Sequence, residues 1–410
     1  MDITKNSIFK TYSGLPREIY ILFIARVINC IGNFVYPFLT FFLKDKLNMS
    51  AKQIGMLITI SAVIAGIGSI LGGKLADHFG RKRIIIICQG ITAICFILCG
   101  VFKNLHLIVM FLILSGFFNG AAQPANSAMI ADLTNKKNRK AAFSLLYLGI
   151  NIGFAVGPLI AGFLYNKYMV WLFIGDAITT IISLVLVGVF VKESIPNVDE
   201  QDLEVDDDEK SEKGSTLSVF FKRPTLLIFT LISIVYSFVY AQNGYMTPLQ
   251  FKQVFGSING PKLYGPLMTV NAVTVVFFTT IITSVTKKFK AVFNIALAGI
   301  FYAVGFGMLG FIETYPLFLV ATFIWTIGEI LCSTNVGVYI ANHSPRSHRG
   351  RFNAVIPIIS GAGYAVAPYV MGGYLEGHTF RAAWTLILIL SLLCGIFMYG
   401  LYLKEMRSKR

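Results

Sequence analysis

The chain has 410 residues, 55% of them hydrophobic and 13% charged, with a net charge of +15 and a mean hydropathy of +0.70. Soluble globular chains carry about a quarter charged residues, so this composition excludes a soluble protein, and with it a disordered chain, a coiled coil or a collagen. The surplus of basic residues does not point to nucleic acid, because they stand in short clusters between long apolar runs, where they set membrane orientation.

Twelve apolar segments follow one another, at 18–43, 52–73, 84–103, 106–132, 142–166, 170–192, 224–248, 263–286, 291–312, 315–341, 352–376 and 382–403. Each is about 20 residues or more, the length that crosses a bilayer as a helix. Barrel strands would be about half as long and would alternate. The expected class is therefore all-α integral membrane, with twelve spans in the cell membrane. The start, MDITKNSIFKTYSGLPRE, has no short apolar run with a small-residue cleavage site, so the first segment is expected to stay in the membrane. With the N-terminus inside, the inner segments hold 26 Lys and Arg and the outer loops 8, with Arg26 alone within a span. That bias predicts cytoplasmic N- and C-termini.

The six cysteines all lie in apolar runs and read as small buried hydrophobes, not as a disulfide framework or metal site. Residues 193–213 hold 10 of the 20 acidic residues. They mark an acidic cytoplasmic linker, 193–223, between a first six-helix half at 1–192 and a second at 224–410. The halves are related by a shift of 210 residues: Arg139 falls on Arg349, and Gly153, Ala155, Val156, Pro158 and Gly162 fall on Gly363, Ala365, Val366, Pro368 and Gly372. Two parallel repeats are one plan of secondary transporters, with substrate near the midplane at the repeat interface.

Between the second and third segments stands Gly73-Lys74-Leu75-Ala76-Asp77-His78-Phe79-Gly80-Arg81-Lys82-Arg83. In the fifth, Gly149, Gly153 and Gly157 recur every four residues on one helix face, followed by Pro158, Ala161 and Gly162. The first run resembles the G-x-L-a-D-r-x-G-r-k-r loop of the major facilitator superfamily. The second resembles the antiporter motif of its drug/proton branch, with Ala161 where that pattern prefers Gly. The resemblance covers nearly the whole chain and implies two six-helix halves, alternating access and efflux of small molecules. It makes Gly73, Asp77, Gly80, Arg81, Lys82 and Arg83 a gating loop. There Asp77 would sit at the N-terminus of the eleventh helix, and Arg81 could pair with Asp132.

Charges within the hydrocarbon are costly and mark function. Glu329, Asp176 and Asp132 are the candidates for proton coupling, in that order. Burial disfavours a charged carboxyl, so Glu329 could take a proton from outside and exchange it for a cationic substrate inside. The plainer alternative is a structural Arg26–Glu329 pair or hydrogen bonds to neighbouring hydroxyls. Polar stripes at helical spacing add Arg26, Asn29, Asn33 and Tyr36 on the first segment and Asn119, Gln123 and Asn126 on the fourth. They add Tyr147 and Asn151 on the fifth, Tyr236, Tyr240 and Asn243 on the seventh, and Trp325 and Thr326 on the tenth. Stripes that cannot face lipid face each other or water, so these residues are the expected substrate cavity. Arg26 could bind an anionic substrate group.

The leading expectation is proton-coupled efflux of lipophilic cations. A specific importer or symporter of a polar metabolite and a lipid flippase are the alternatives. A monomer is expected, with no cofactor and no catalytic residue. A sodium couple stays open. No phosphate-binding G-x-x-x-x-G-K-[ST] loop and no H-E-x-x-H pair points to a primary pump or a metalloenzyme.

Overall fold

The computed structural model describes residues 12–135, 138–194, 220, 222–344 and 349–407. Among them every long element is a helix, because in a bilayer backbone polar groups must be satisfied within the segment. In chain order these are α1 (Arg17–Ile31), α2 (Val35–Asp45), α3 (Ala51–Phe79), α4 (Arg81–Val101), α5 (Leu105–Asp132) and α6 (Arg139–Lys167). They continue as α7 (Met169–Phe190), α8 (Pro224–Thr286), α9 (Ala291–Met308), α10 (Tyr315–His343), α11 (Arg349–Gly377) and α12 (Phe380–Arg407). Eleven stretches of the described residues are long and apolar enough to cross a membrane, α1 and α2 counting as one. Large apolar side chains point outward along them, as at Ile358, Val189 and Phe163, which suits lipid and not water.

Two elements depart from the predicted segments. The first segment is broken at Gly32–Asn33–Phe34, so α1 and α2 are separate helices. Pro37 sits in the first turn of α2, where a missing N–H costs nothing, and the buried Asp176 carboxylate accepts the Val35 N–H at 3.3 Å. The seventh and eighth segments run into one 63-residue element, α8, because the polar residues between them are also helical. At about 1.5 Å per residue this is some three bilayer cores long. Its only non-helical backbone is Gly256, with φ 79° and ψ 172°, a conformation that glycine alone adopts freely.

The chain forms two compact units, each threaded by more than one stretch. One gathers the described residues of Met1–Leu39, Ile60–Glu204 and Tyr264–Ala272; the other gathers those of Thr40–Thr59, Val205–Leu263 and Val273–Arg410. In the first, α1 packs on α6 and α7, and α4 packs on α5 and α7. In the second, α9 packs on α10 and α12. There the segment 40–59 is held to later helices by Thr40 donating to the Gly244 carbonyl at 3.3 Å, Ser50 to Glu376 at 2.9 Å and Thr59 to the Ala365 carbonyl at 2.8 Å.

The helix starts repeat: Arg81 and Ala291, Leu105 and Tyr315, and Arg139 and Arg349 lie 210 residues apart in each case. Of the acidic linker, 193–223, residues 195–219 and 221 lie outside the described residues; its first residue, Glu193, does not.

Candidate functional site

In the second unit, Glu329 lies half-buried in the middle of α10. Tyr240, on α8, donates its hydroxyl to Glu329 Oε1 at 2.9 Å. The Tyr240 ring is itself surrounded: Trp325 stands edge-on at 6.1 Å, with Tyr302 at 6.4 Å and Tyr364 at 6.5 Å. One carboxylate is thus fixed among four aromatic rings drawn from four helices. Aromatic faces attract cations, most strongly when desolvated, and a carboxylate beside them adds the counter-charge.

Four other cavity candidates in this unit are core side chains. Trp325 is fully buried, stacked on Phe306 at 5.2 Å, which in turn stacks on Trp384 at 5.9 Å. Tyr236 is buried and donates to the Ile295 carbonyl at 3.0 Å. Thr326 is buried and returns its hydroxyl to the Thr322 carbonyl on its own helix. Asn243 is buried as well. The stripe on α10 therefore serves packing at Thr326 and leaves Glu329 as its open member. Tyr302 and Tyr364 were not singled out from the sequence, because α9 and α11 carry no polar stripe there.

In the first unit, Arg26, Asn29 and Asn126 line one cleft, with Gln89 and Ser183. Asn29 donates to Thr180 Oγ1 at 3.0 Å, and Asn126 to the Ala122 carbonyl at 2.9 Å. The remaining candidates stand elsewhere. Asn33 is in the α1–α2 break, and Tyr36 lies edge-on to Phe96. Gln123 makes a long bond to Asn119 at 3.5 Å, and Asn151 donates to the Tyr147 carbonyl. Asp176 is 4% exposed. It is a buried cap of α2, accepting the Val35 N–H.

The expected loop 73–83 is the end of α3 and the start of α4 joined at Gly80, and it forms an ion-pair node. Arg81 meets Asp77 at 2.9 Å and Asp132 at 3.2 Å, and it donates to the Ala76 carbonyl at 2.7 Å. Asp77 stands 71% exposed with Arg81 as its partner. Glu193, assigned to the linker by its composition, accepts the N–H groups of Lys82 at 3.0 Å and Arg83 at 3.4 Å. A carboxylate at the positive end of α4 is stabilised there. Lys82 Nζ reaches the Gly188 carbonyl at 2.7 Å. Gly80, at φ 107°, makes the turn between α3 and α4, and Gly73 is half-buried in α3 beside Pro124.

The glycine stripe of α6 receives α1. A Cβ on Gly153 would fall on the Cys30 side chain, one on Gly157 would come within 2.8 Å of the Ile31 carbonyl, and one on Gly149 would touch the Phe23 ring at 3.0 Å. Small residues here let two backbones meet. Pro158 and Gly162 are buried further along the helix. Beside them, Thr269 donates to the Ala155 carbonyl at 2.8 Å.

A loop of this composition, a glycine-faced helix and repeated helix starts agree with the family match. The family model described as Major Facilitator Superfamily matches residues 22–356. The chain belongs to the major facilitator superfamily. It is a transporter of the cell membrane and not an enzyme. A "Na(+), Li(+), K(+)/H(+) antiporter" of Planococcus maritimus is 23% identical over 399 residues, covering 90% of this chain and 93% of that one. The quinolone resistance protein NorA of Staphylococcus aureus (strain N315) is 28% identical over 151 residues, 37% of this chain and 39% of that one. A peptide-family (POT) transporter solved with a thioalcohol-conjugated peptide superposes with a TM-score of 0.80 at 11% identity, covering 96% of this chain and 98% of that one. At that identity the likeness is one of fold alone.

Proposed function

We propose that this protein is a proton-coupled exporter of lipophilic organic cations, working by alternating access. It crosses the membrane twelve times, with α8 counted as two spans joined at Gly256 and both termini in the cytoplasm. The observation that carries the reading is the Tyr240–Glu329 hydrogen bond among aromatic rings inside spanning helices. A neutral Glu329 offers a bound cation no counter-charge beside the rings, and an ionised one does. Proton and cation therefore compete for one carboxylate, which is the requirement for exchange. The antiporter and drug-resistance relatives support the same direction.

The test is dye movement into proteoliposomes under an imposed pH gradient, repeated under a sodium gradient of equal size. Accumulation of a lipophilic cationic dye driven by protons alone is expected. Accumulation driven only by sodium would keep Glu329 and change the ion. A second reading, carriage of a polar solute with an anionic group, is favoured by Arg26 and its amides. It predicts that the dye is inert and that a polar metabolite moves.

A further inference from the structure

The cleft around Arg26 sits inside the apolar core of the first unit. Its walls include Leu22, Ile85, Ile130 and Val187, all buried core residues. Each helix presents residues one turn apart to it: Arg26 and Asn29 from α1, Ile85 and Gln89 from α4, Asn126 and Ile130 from α5, and Ser183 and Val187 from α7. Three of the polar groups have no protein partner. Among the described residues the Arg26 guanidinium makes no hydrogen bond or ion pair, and the side chains of Gln89 and Ser183 make none either. Gln89 is 9% and Ser183 6% exposed.

Buried polar groups are normally satisfied, and Arg26 is a half-buried cation, costly to hold without an anion. No Asp or Glu lines the cleft. The nearest acids along the contributing helices are committed or distant. Asp176 is seven residues before Ser183 and caps α2. Asp132 is six residues past Asn126 and holds Arg81. Glu18 is eight residues before Arg26, at the start of α1. A guanidinium with an amide and a hydroxyl as further donors, and no acid, is the wrong charge for a metal or an organic cation.

We propose that this cleft is a site for a monovalent anion, held by Arg26 with Gln89 and Ser183 as neutral donors. Two sources share the chemistry: a halide acting as counter-ion, or the carboxylate of a carried solute. The halide source is independent of Glu329 and of the direction of transport; the carboxylate source rests on the second reading of the function.

The test is the line width of the chloride NMR signal in the presence of the purified full chain in detergent, titrated with benzoate. The wild type is expected to broaden the line. Arg26→Met should abolish the broadening, Arg26→Lys should retain part of it, and Gln89→Leu should weaken chloride binding by about tenfold, the scale of one hydrogen bond to a charged group. Narrowing by benzoate assigns the site to carboxylates as well as halide; broadening that benzoate leaves intact assigns it to halide alone. If Arg26→Met does not fold, Gln89→Leu carries the test. Wild type that never broadens the line, or broadening that persists unchanged in Arg26→Met and Gln89→Leu, would overturn the proposal and leave a cleft that holds water only. Because the readout is binding, this result does not depend on dye transport.

Discussion

Tyr240 and Glu329 can be separated from their surroundings one atom at a time. Tyr240→Phe keeps the ring against Trp325, Tyr302 and Tyr364 and deletes only the hydroxyl that reaches Glu329. A hydrogen bond to a charged group is worth about 1.5–3 kcal/mol, so transport should fall about tenfold or more while the protein still folds, checked by initial rates in liposomes and by a normal elution profile. Gly80→Ala tests the loop. At φ 107° and ψ 144° a side chain is strained by about 1–3 kcal/mol, and the new methyl would also run into the Glu193 carboxylate that caps α4. Thermal unfolding should show a loss of at least that size. Glu329 is legible in the sequence because a carboxylate inside an apolar run is costly and stands out, and Tyr240 because it shares a stripe with other polar residues. Tyr302, Gln89 and Glu193 were not legible. Their neighbours in sequence are ordinary for a span or a linker, and only the folded chain brings them to a partner.

The helices themselves follow from apolar length, and their interruptions follow from side chains elsewhere. A run such as 18–43 reads as one span, yet α1 stops at Ile31 and α2 begins at Val35, with its first N–H taken by Asp176 from α7. Nothing local announces that partner, 141 residues away. The glycine stripe was legible as close packing by its four-residue period, but not as packing against α1. That contact gives a graded expectation. Gly153→Ala places a methyl on the Cys30 side chain, whereas Gly149→Ala meets the edge of the Phe23 ring, which can turn aside. Overpacking of this kind costs about 1–3 kcal/mol, so Gly153→Ala should lower the unfolding temperature in detergent and Gly149→Ala should do so by less.

At the scale of the whole molecule, the repeat and the charge bias were both legible, and they lead to one topology. Single cysteines placed on a background without the six native ones should report it. A cysteine at Asn104, between α4 and α5, should react with an impermeant maleimide from outside intact cells. One at Asn138 or Lys287 should react only after the membrane is opened. The division into units was less legible, because segment 40–59 packs with the second unit through Thr40, Ser50 and Thr59, and composition does not foretell such exchange. The 210-residue register aligns Asn119 of the first half with Glu329 of the second, so the repeat has kept its helices and placed the acid in one copy only. Coupling in this account rests on that single acid. The most direct measurement follows protons: a pH-sensitive dye sealed inside liposomes, with a lipophilic cation added outside, for wild type and Glu329→Gln. The account predicts cation-driven proton movement in the wild type and none in the variant, which should still exchange labelled for unlabelled cation. Undiminished proton movement in Glu329→Gln would contradict it.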